Sequence, residues 1–235
     1  ALSSFRETRK LAPILLEIDI ARTADGELVL MHDRTLDRTT TGKGEVSAMD
    51  FAELRKLQLK DETGRVLDEG VPTLDEALVW AKRNNAILQL DLKKGVDVRR
   101  VVEAVRANNM QGQVVLIAYN LAEVRAAMQA APEMMVSASG ANEAENRALL
   151  AMAGPRMLFF AGTAVPSDAR LAQLRAKGVE PIVGTLGKPG ERLDDQWLLD
   201  GKGVEYGAEA ARGVAVFASD RPVQAWAALL DSQRA

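Results

Sequence analysis

An α/β fold, with strands alternating with helices, is what this sequence predicts, and three features predict it. Short apolar runs recur along the 235 residues, at 14–20, 87–93, 114–119, 134–139, 157–162, 180–185 and 214–219. Stretches rich in Ala, Leu, Glu and Arg at helical spacing, such as 121–131 and 167–177, lie between them. No Pro/Gly/Ser-rich linker divides the chain, whose length suits the about 250 residues that a barrel of such units uses as one domain. Alternation of this kind builds a parallel sheet covered by helices. The expectation is a single domain over 1–235 with the (β/α)8, or TIM barrel, architecture, one strand short of the eight that close it.

From the amino end, Ser3 and Ser4 suit helix caps, and Phe5 and Leu11 fit a short amphipathic helix that Pro13 helps to end. In the strand 14–20 side chains alternate between faces, so Leu16, Ile18 and Ile20 share one and Glu17 and Asp19 the other. Burying carboxylates is costly unless a cation or hydrogen bonds compensate, so this pair belongs at a solvent-reachable rim or around a metal ion. Asp25-Gly26 then makes a tight turn, and 28–32 returns as an antiparallel strand, because a parallel return needs a crossover of about a dozen residues. The hairpin carries His32, the one histidine in the sequence, back beside Glu17 and Asp19.

Residues 48–54 read as a helical turn, and 60–70 as a polar loop forming a short insertion around 60–71. Thr73 or Asp75 can cap the next helix, through Leu78, Trp80 and Ala81. In 87–93, Leu88, Leu90 and Leu92 take one face, while Gln89, Asp91 and Lys93 take the other and grow more charged toward the carboxyl end, where barrel chemistry sits. Trp80, Trp197 and Trp226 lie in helical contexts and read as structural.

A formal net charge of −3 is too mild to suggest nucleic acid or an anionic membrane surface as partner. A phosphate-bearing substrate would need local positive charge. Without cysteine the chain has no disulfide, zinc-thiolate site or thiol nucleophile. No signal peptide or spanning run is visible, so stable membrane insertion is not expected, while compartment and oligomeric state stay open.

Glu-x-Asp, the Asp-Gly turn and the run VLMHDRTLDRTTTGKG place Glu17, Asp19, His32, Asp33, Asp37, Arg38, Thr39, Thr40, Gly42 and Gly44 at one characteristic spacing. In this the chain closely resembles the glycerophosphodiester phosphodiesterase family. Val71-Pro72-Thr73-Leu74-Asp75-Glu76-Ala77-Leu78 is similar to the family's IPTLxEAL segment, and Ala218-Ser219-Asp220-Arg221-Pro222 to its closing TDRP. The middle third matches in rhythm more than in motif.

The resemblance implies a TIM barrel that hydrolyses a small glycerophosphodiester to glycerol 3-phosphate and an alcohol. Under it, Glu17, Asp19 and Asp91 are the oxygen ligands of a divalent metal, Ca²⁺ or Mg²⁺. Lys93 and Arg38 serve the phosphate, and His32 acts as general acid on the departing alkoxide. The shortness of the insertion implies an open site and a small head group.

The departures are informative. Asp91 stands where the family usually has Glu, one methylene longer. Residues 183–187 replace a tryptophan-bearing strand, which leaves Tyr119 or Phe160 to supply an aromatic wall for the glycerol. The family opens with a strand ending in His-Arg-Gly, followed by Pro-Glu-Asn, and uses two histidines. Neither segment is present, so either the sequence starts after them or the chain is a degenerate member, a catalytically impaired phosphate- or polyol-binding protein of the same fold. A barrel lacking its first strand would expose two unpaired edges, which favours the former.

Overall fold

Strand follows helix along the chain in the computed structural model, which describes residues 1–11 and 14–234. The order is α1 (Leu2–Leu11), β1 (Leu15–Arg22), β2 (Leu28–Leu30), α2 (Phe51–Leu54), β3 (Gln58–Lys60), β4 (Val66–Gly70), α3 (Leu74–Arg83), β5 (Ile87–Leu92), α4 (Val98–Ala107) and β6 (Val114–Ala118). There follow α5 (Leu121–Ala130), β7 (Met135–Ala138), α6 (Glu143–Met152), β8 (Met157–Phe160), α7 (Asp168–Ala176), β9 (Glu180–Gly184), α8 (Leu193–Trp197), α9 (Val204–Arg212), β10 (Val216–Ala218) and α10 (Pro222–Ser232). Each of the seven runs predicted as barrel strands is a strand lying parallel to a neighbour.

The chain forms two compact units, Ala1–Ile117 with Ala126–Met134, and Ala118–Arg125 with Met135–Ala235. In the first, the strand order is β6-β5-β1-β2, with β2 antiparallel to β1 as the short Asp25-Gly26 turn requires. Gly26 sits at φ +93, a left-handed conformation that only glycine adopts without strain, and its N–H donates to the Thr23 carbonyl. Leu16, Ile18 and Ile20 of β1 are buried, as are Leu88 and Leu90 of β5, each contributing roughly 1.5–3 kcal/mol through the apolar surface withdrawn from water.

Beside them, Ala21, Val29, Met31, Leu36, Val46, Leu54, Leu59 and Val71 form a separate core beneath the hairpin and the loop that follows it. The hairpin's outer edge is closed in turn: Leu30 N–H donates to the Pro72 carbonyl, and Val29 bridges Thr73. Thr73 and Glu76 form a reciprocal capping box at the start of α3, so the Pro-Thr-Leu-Asp-Glu run is a helix start that doubles as an edge clamp.

Three expectations need correction. Ser3 and Ser4 lie inside α1, which already starts at Leu2, so they are not caps; Pro13 lies outside the described residues. Residues 60–70 are not a loop, because β3 and β4 pair antiparallel. The reason is tertiary: Leu59 is buried and Leu67 packs against the same core, while the backbone of 58–60 bonds to that of Thr39 and Thr41. The second hairpin strand ends at Leu30, leaving His32 just beyond it.

The second unit carries the strands in the order β10-β9-β8-β7, each parallel to the next. Trp197, Tyr206 and Phe217 pack edge to face there, with ring centroids 5.0–6.4 Å apart. Trp80 packs on Phe5 in the first unit. Among the described residues no helix is long and apolar enough to cross a membrane.

Candidate functional site

The register of β1 on β5 sets Asp19 directly opposite Asp91. In a parallel pair, opposed residues project from the same face, and neighbouring strands lie about 4.8 Å apart, so two carboxylates become neighbours. Glu17, two residues back, shares that face. One oxygen from each of Glu17, Asp19 and Asp91 lies within 4.8 Å of the others. Among the described residues, the cation paired with these acids is Lys93, whose Nζ lies 2.5 Å from Asp19 Oδ1 and 2.7 Å from Asp91 Oδ2.

The imbalance shows in the proton affinities. Glu17 is pushed up to about 7, first by loss of hydration around its carboxyl and then by the charges of Asp19 and Asp91, with Lys93 and His32 pulling the other way. The Glu17 side chain as a whole is nonetheless exposed, so the crowding of its carboxyl by neighbouring atoms and charges acts at the edge of solvent. Burial opposes the charge of Lys93, yet its hydrogen bonds to Asp19 and Asp91 outweigh burial and raise its pKa. Three carboxylates that each offer an oxygen to one point could hold a hard divalent cation.

The hairpin delivers the next group. Met31 N–H donates to the Asp19 carbonyl, which fixes the chain immediately before His32 alongside the acids. His32 Nδ1 lies 2.8 Å from Asp33 Oδ1, and Arg38 grips the same carboxylate with two bonds, Nε to Oδ2 at 2.7 Å and Nη2 to Oδ1 at 2.8 Å. Those contacts hold Asp33 well below the usual carboxylate range, the Arg38 bond contributing most and the His32 bond next.

The rest of the signature loop shapes the backbone. Thr40, buried, donates to the Leu36 carbonyl; Gly42 N–H donates to Thr40 Oγ1; Gly44 N–H donates to Asp37 Oδ2. The triad, Lys93, His32 and Arg38 all belong to the first unit. Tyr119 belongs to the second, where with Phe160, Arg170 and Asn146 it lines a cleft of about 750 Å³. Asp33 is the participant for which sequence reasoning found no role. Its signal was there in its place next to the only histidine and five residues before an arginine.

Residues 1–200 match the model of the glycerophosphoryl diester phosphodiesterase family. The glycerophosphodiester phosphodiesterase of Caldanaerobacter subterraneus subsp. tengcongensis is 26% identical over 141 residues, covering 57% of this chain and 58% of that protein. Glycerophosphodiester phosphodiesterase 1 of Mus musculus is 38% identical over 103 residues, 41% of this chain and 30% of that one. The chain thus matches little more than half, or less, of these curated relatives' own lengths. A crystal structure of a glycerophosphoryl diester phosphodiesterase from Parabacteroides distasonis superposes with a TM-score of 0.80 at 26% identity, covering 98% of this chain and 80% of the other. An Oleispira antarctica phosphodiesterase, solved in complex with the product sn-glycerol-3-phosphate, shares the fold with a TM-score of 0.73 at 20% identity, covering 100% and 90%.

Proposed function

Because the chain belongs to the glycerophosphoryl diester phosphodiesterase family, we propose that it hydrolyses glycerophosphodiesters to glycerol 3-phosphate and an alcohol, using a divalent cation held by Glu17, Asp19 and Asp91. The observation that carries this reading is the convergence of three carboxylates opposed by one lysine, with an oriented imidazole on the adjoining hairpin.

Once bound, a cation of this kind supplies charge neutralisation to a nonbridging phosphate oxygen. The protein's own groups do the rest. The carboxylates fix where positive charge sits, and Lys93 keeps a permanent point charge beside them for the phosphodiester. As water adds to phosphorus and loses a proton to solvent, His32 gives its proton to the alcohol oxygen and that phosphorus–oxygen bond breaks, a proton transfer that contributes about 10²–10⁴-fold in rate. Electrostatic stabilisation of the phosphoryl group accounts for much of the remainder.

The test is release of glycerol 3-phosphate from glycerophosphocholine by the purified protein, with Ca²⁺, with Mg²⁺, and with a chelator. Turnover that needs added cation supports the proposal; choline phosphate as the product, or turnover unchanged by the chelator, would sink it. The same assay separates a second reading, a phosphate- or polyol-binding protein of the same fold without turnover. That reading is selected if glycerol 3-phosphate binds but no diester is cleaved.

A further inference from the structure

We propose that Arg38 is a positioning residue: acting through Asp33, it sets the orientation and tautomer of His32, and it is not a ligand of the substrate phosphate. The inference rests on the reading of His32 as general acid.

The geometry is that of a three-member relay. An arginine that recognises phosphate offers its fork of N–H groups to the ligand. Here two N–H groups of that fork, Nε and Nη2, are already spent on the two oxygens of Asp33. Oδ1 of Asp33 also faces His32 Nδ1, so one carboxylate ties the guanidinium to the imidazole. Exposure supports the assignment: the Asp33 side chain is 23% exposed, whereas those of Arg38 and His32 are 63% and 70% exposed. A solvated His–Asp contact between adjacent residues holds its geometry poorly when alone. A bidentate arginine fixes the carboxylate plane, and with it the direction from which Nδ1 must approach.

Arg38 is itself well founded. The loop that carries it is tied by Thr40 Oγ1 to the Leu36 carbonyl and by Thr39 Oγ1 to Met31 Sδ, and both Leu36 and Met31 lie in the core beneath the hairpin. Lys60 Nζ donates to the Asp37 carbonyl one residue before it. Neighbouring Arg34 pairs instead with Glu45 and does not compete for Asp33.

The chemistry follows from what each atom can do. A carboxylate accepts only, so the ring must donate from Nδ1, and Nε2 is the nitrogen left to serve the alkoxide. As the phosphorus–oxygen bond breaks, the Nε2 proton passes to the alcohol oxygen and the ring becomes the neutral tautomer with hydrogen on Nδ1. That is the tautomer Asp33 stabilises, so fixing Asp33 favours the state the ring must reach.

Three variants, His32→Ala, Arg38→Gln and Arg38→Lys, would be assayed with glycerophosphocholine, whose alkoxide needs a proton, and with the nitrophenyl ester of glycerol 3-phosphate, whose phenolate does not. Arg38→Gln should lower kcat for glycerophosphocholine by about 10–100-fold, the loss expected when the partner orienting a functional imidazole is removed. Its KM should hold within about twofold and the nitrophenyl ester should be nearly unaffected, while Arg38→Lys recovers part of the loss through a single contact. A raised KM for both substrates would make Arg38 a phosphate ligand and overturn the proposal. If His32→Ala discriminates between the substrates and Arg38→Gln does not, only the positioning role fails. If His32→Ala does not discriminate, the general-acid reading fails instead. Since the sequence holds one histidine, long-range ¹H–¹⁵N NMR reads its tautomer without substrate. The neutral ring should carry hydrogen on Nδ1 in the native protein and shift toward Nε2 in folded Arg38→Gln, and an unchanged tautomer would overturn the proposal.

Discussion

Two groups of acidic side chains, one in each unit, have opposite electrostatic designs. In the first unit, Glu17, Asp19 and Asp91 share a single lysine, and Glu17 holds a proton up to about 7. In the second, Asp194 is fully buried yet amply supplied: it accepts from the Tyr206 hydroxyl, from Ser219 Oγ at 2.9 Å and from the Asp220 N–H at 2.8 Å. Around it Arg192 pairs with Asp195 and Asp220, and Arg221 with Asp195. Burial and the bond to Asp194 raise the Tyr206 pKa, which keeps that hydroxyl a donor. Hydrogen bonds that meet a carboxylate's needs make it a fastener, and acids left short of partners make a site that calls for a cation. The Ser-Asp-Arg-Pro run near the carboxyl end is a fastener of this kind, binding the end of β10 to α8.

The contrast breaks most sharply on Asp19→Asn. Removing one of the crowded charges should leave the cation-free protein folded, with a melting temperature within a few degrees of native, while turnover falls by roughly 10²–10³-fold, as when one electrostatic element of a site is lost. Calorimetric titration with Ca²⁺ should show correspondingly weaker binding. Native affinity and turnover in this variant would remove Asp19 from the cation site.

Asp194→Ala should do the reverse. Three donors lose their acceptor in a buried place, at about 1–3 kcal/mol each in isolation, so a net loss of about 3 kcal/mol is expected after relaxation. At roughly 2–4 °C per kcal/mol for a chain of this size, the melting temperature drops by about 6–12 °C. Cation at saturation should not repair it. A melt indistinguishable from native would show that the second network is ornamental.

The smallest effect sharpens the comparison by pH. A cation must displace the Glu17 proton, so affinity should rise as pH passes upward through about 7 and be about tenfold weaker one unit below that value. Titration calorimetry at pH 6 and 8, in two buffers of different ionisation enthalpy, reads both the affinity and the released proton. Without cation the sign inverts for stability: the folded chain retains a proton that the unfolded chain sheds near 4.5, so stability falls as pH rises from there through about 7. An affinity flat in pH would mean that Glu17 is not a ligand.

Much of this was written in local pattern. Seven apolar runs foretold seven parallel strands, because each strand of a helix-covered sheet must offer apolar side chains to the core. Period-two alternation put Glu17 with Asp19, and Asp91 with Lys93, on single faces, and the Asp25-Gly26 turn required an antiparallel return. These are short-range consequences of backbone geometry, and sequence order alone determines them.

What tertiary structure decided depends on partners distant in the chain. The register that sets Asp19 against Asp91, and so turns two half-sites into one, is chosen by packing of the apolar faces of β1 and β5. The β3–β4 hairpin is polar in sequence and becomes a strand pair only because the core beneath the hairpin covers Leu59 and Leu67. That the Arg38 guanidinium grips Asp33 with two bonds is likewise decided by the folded loop and not by any local pattern. Asp194 gives no local sign of its importance, since its three donors come from α9 and from the end of β10. A side chain's chemical type is carried in its own letter, but what it does depends on which groups satisfy it, and folding alone brings those groups together.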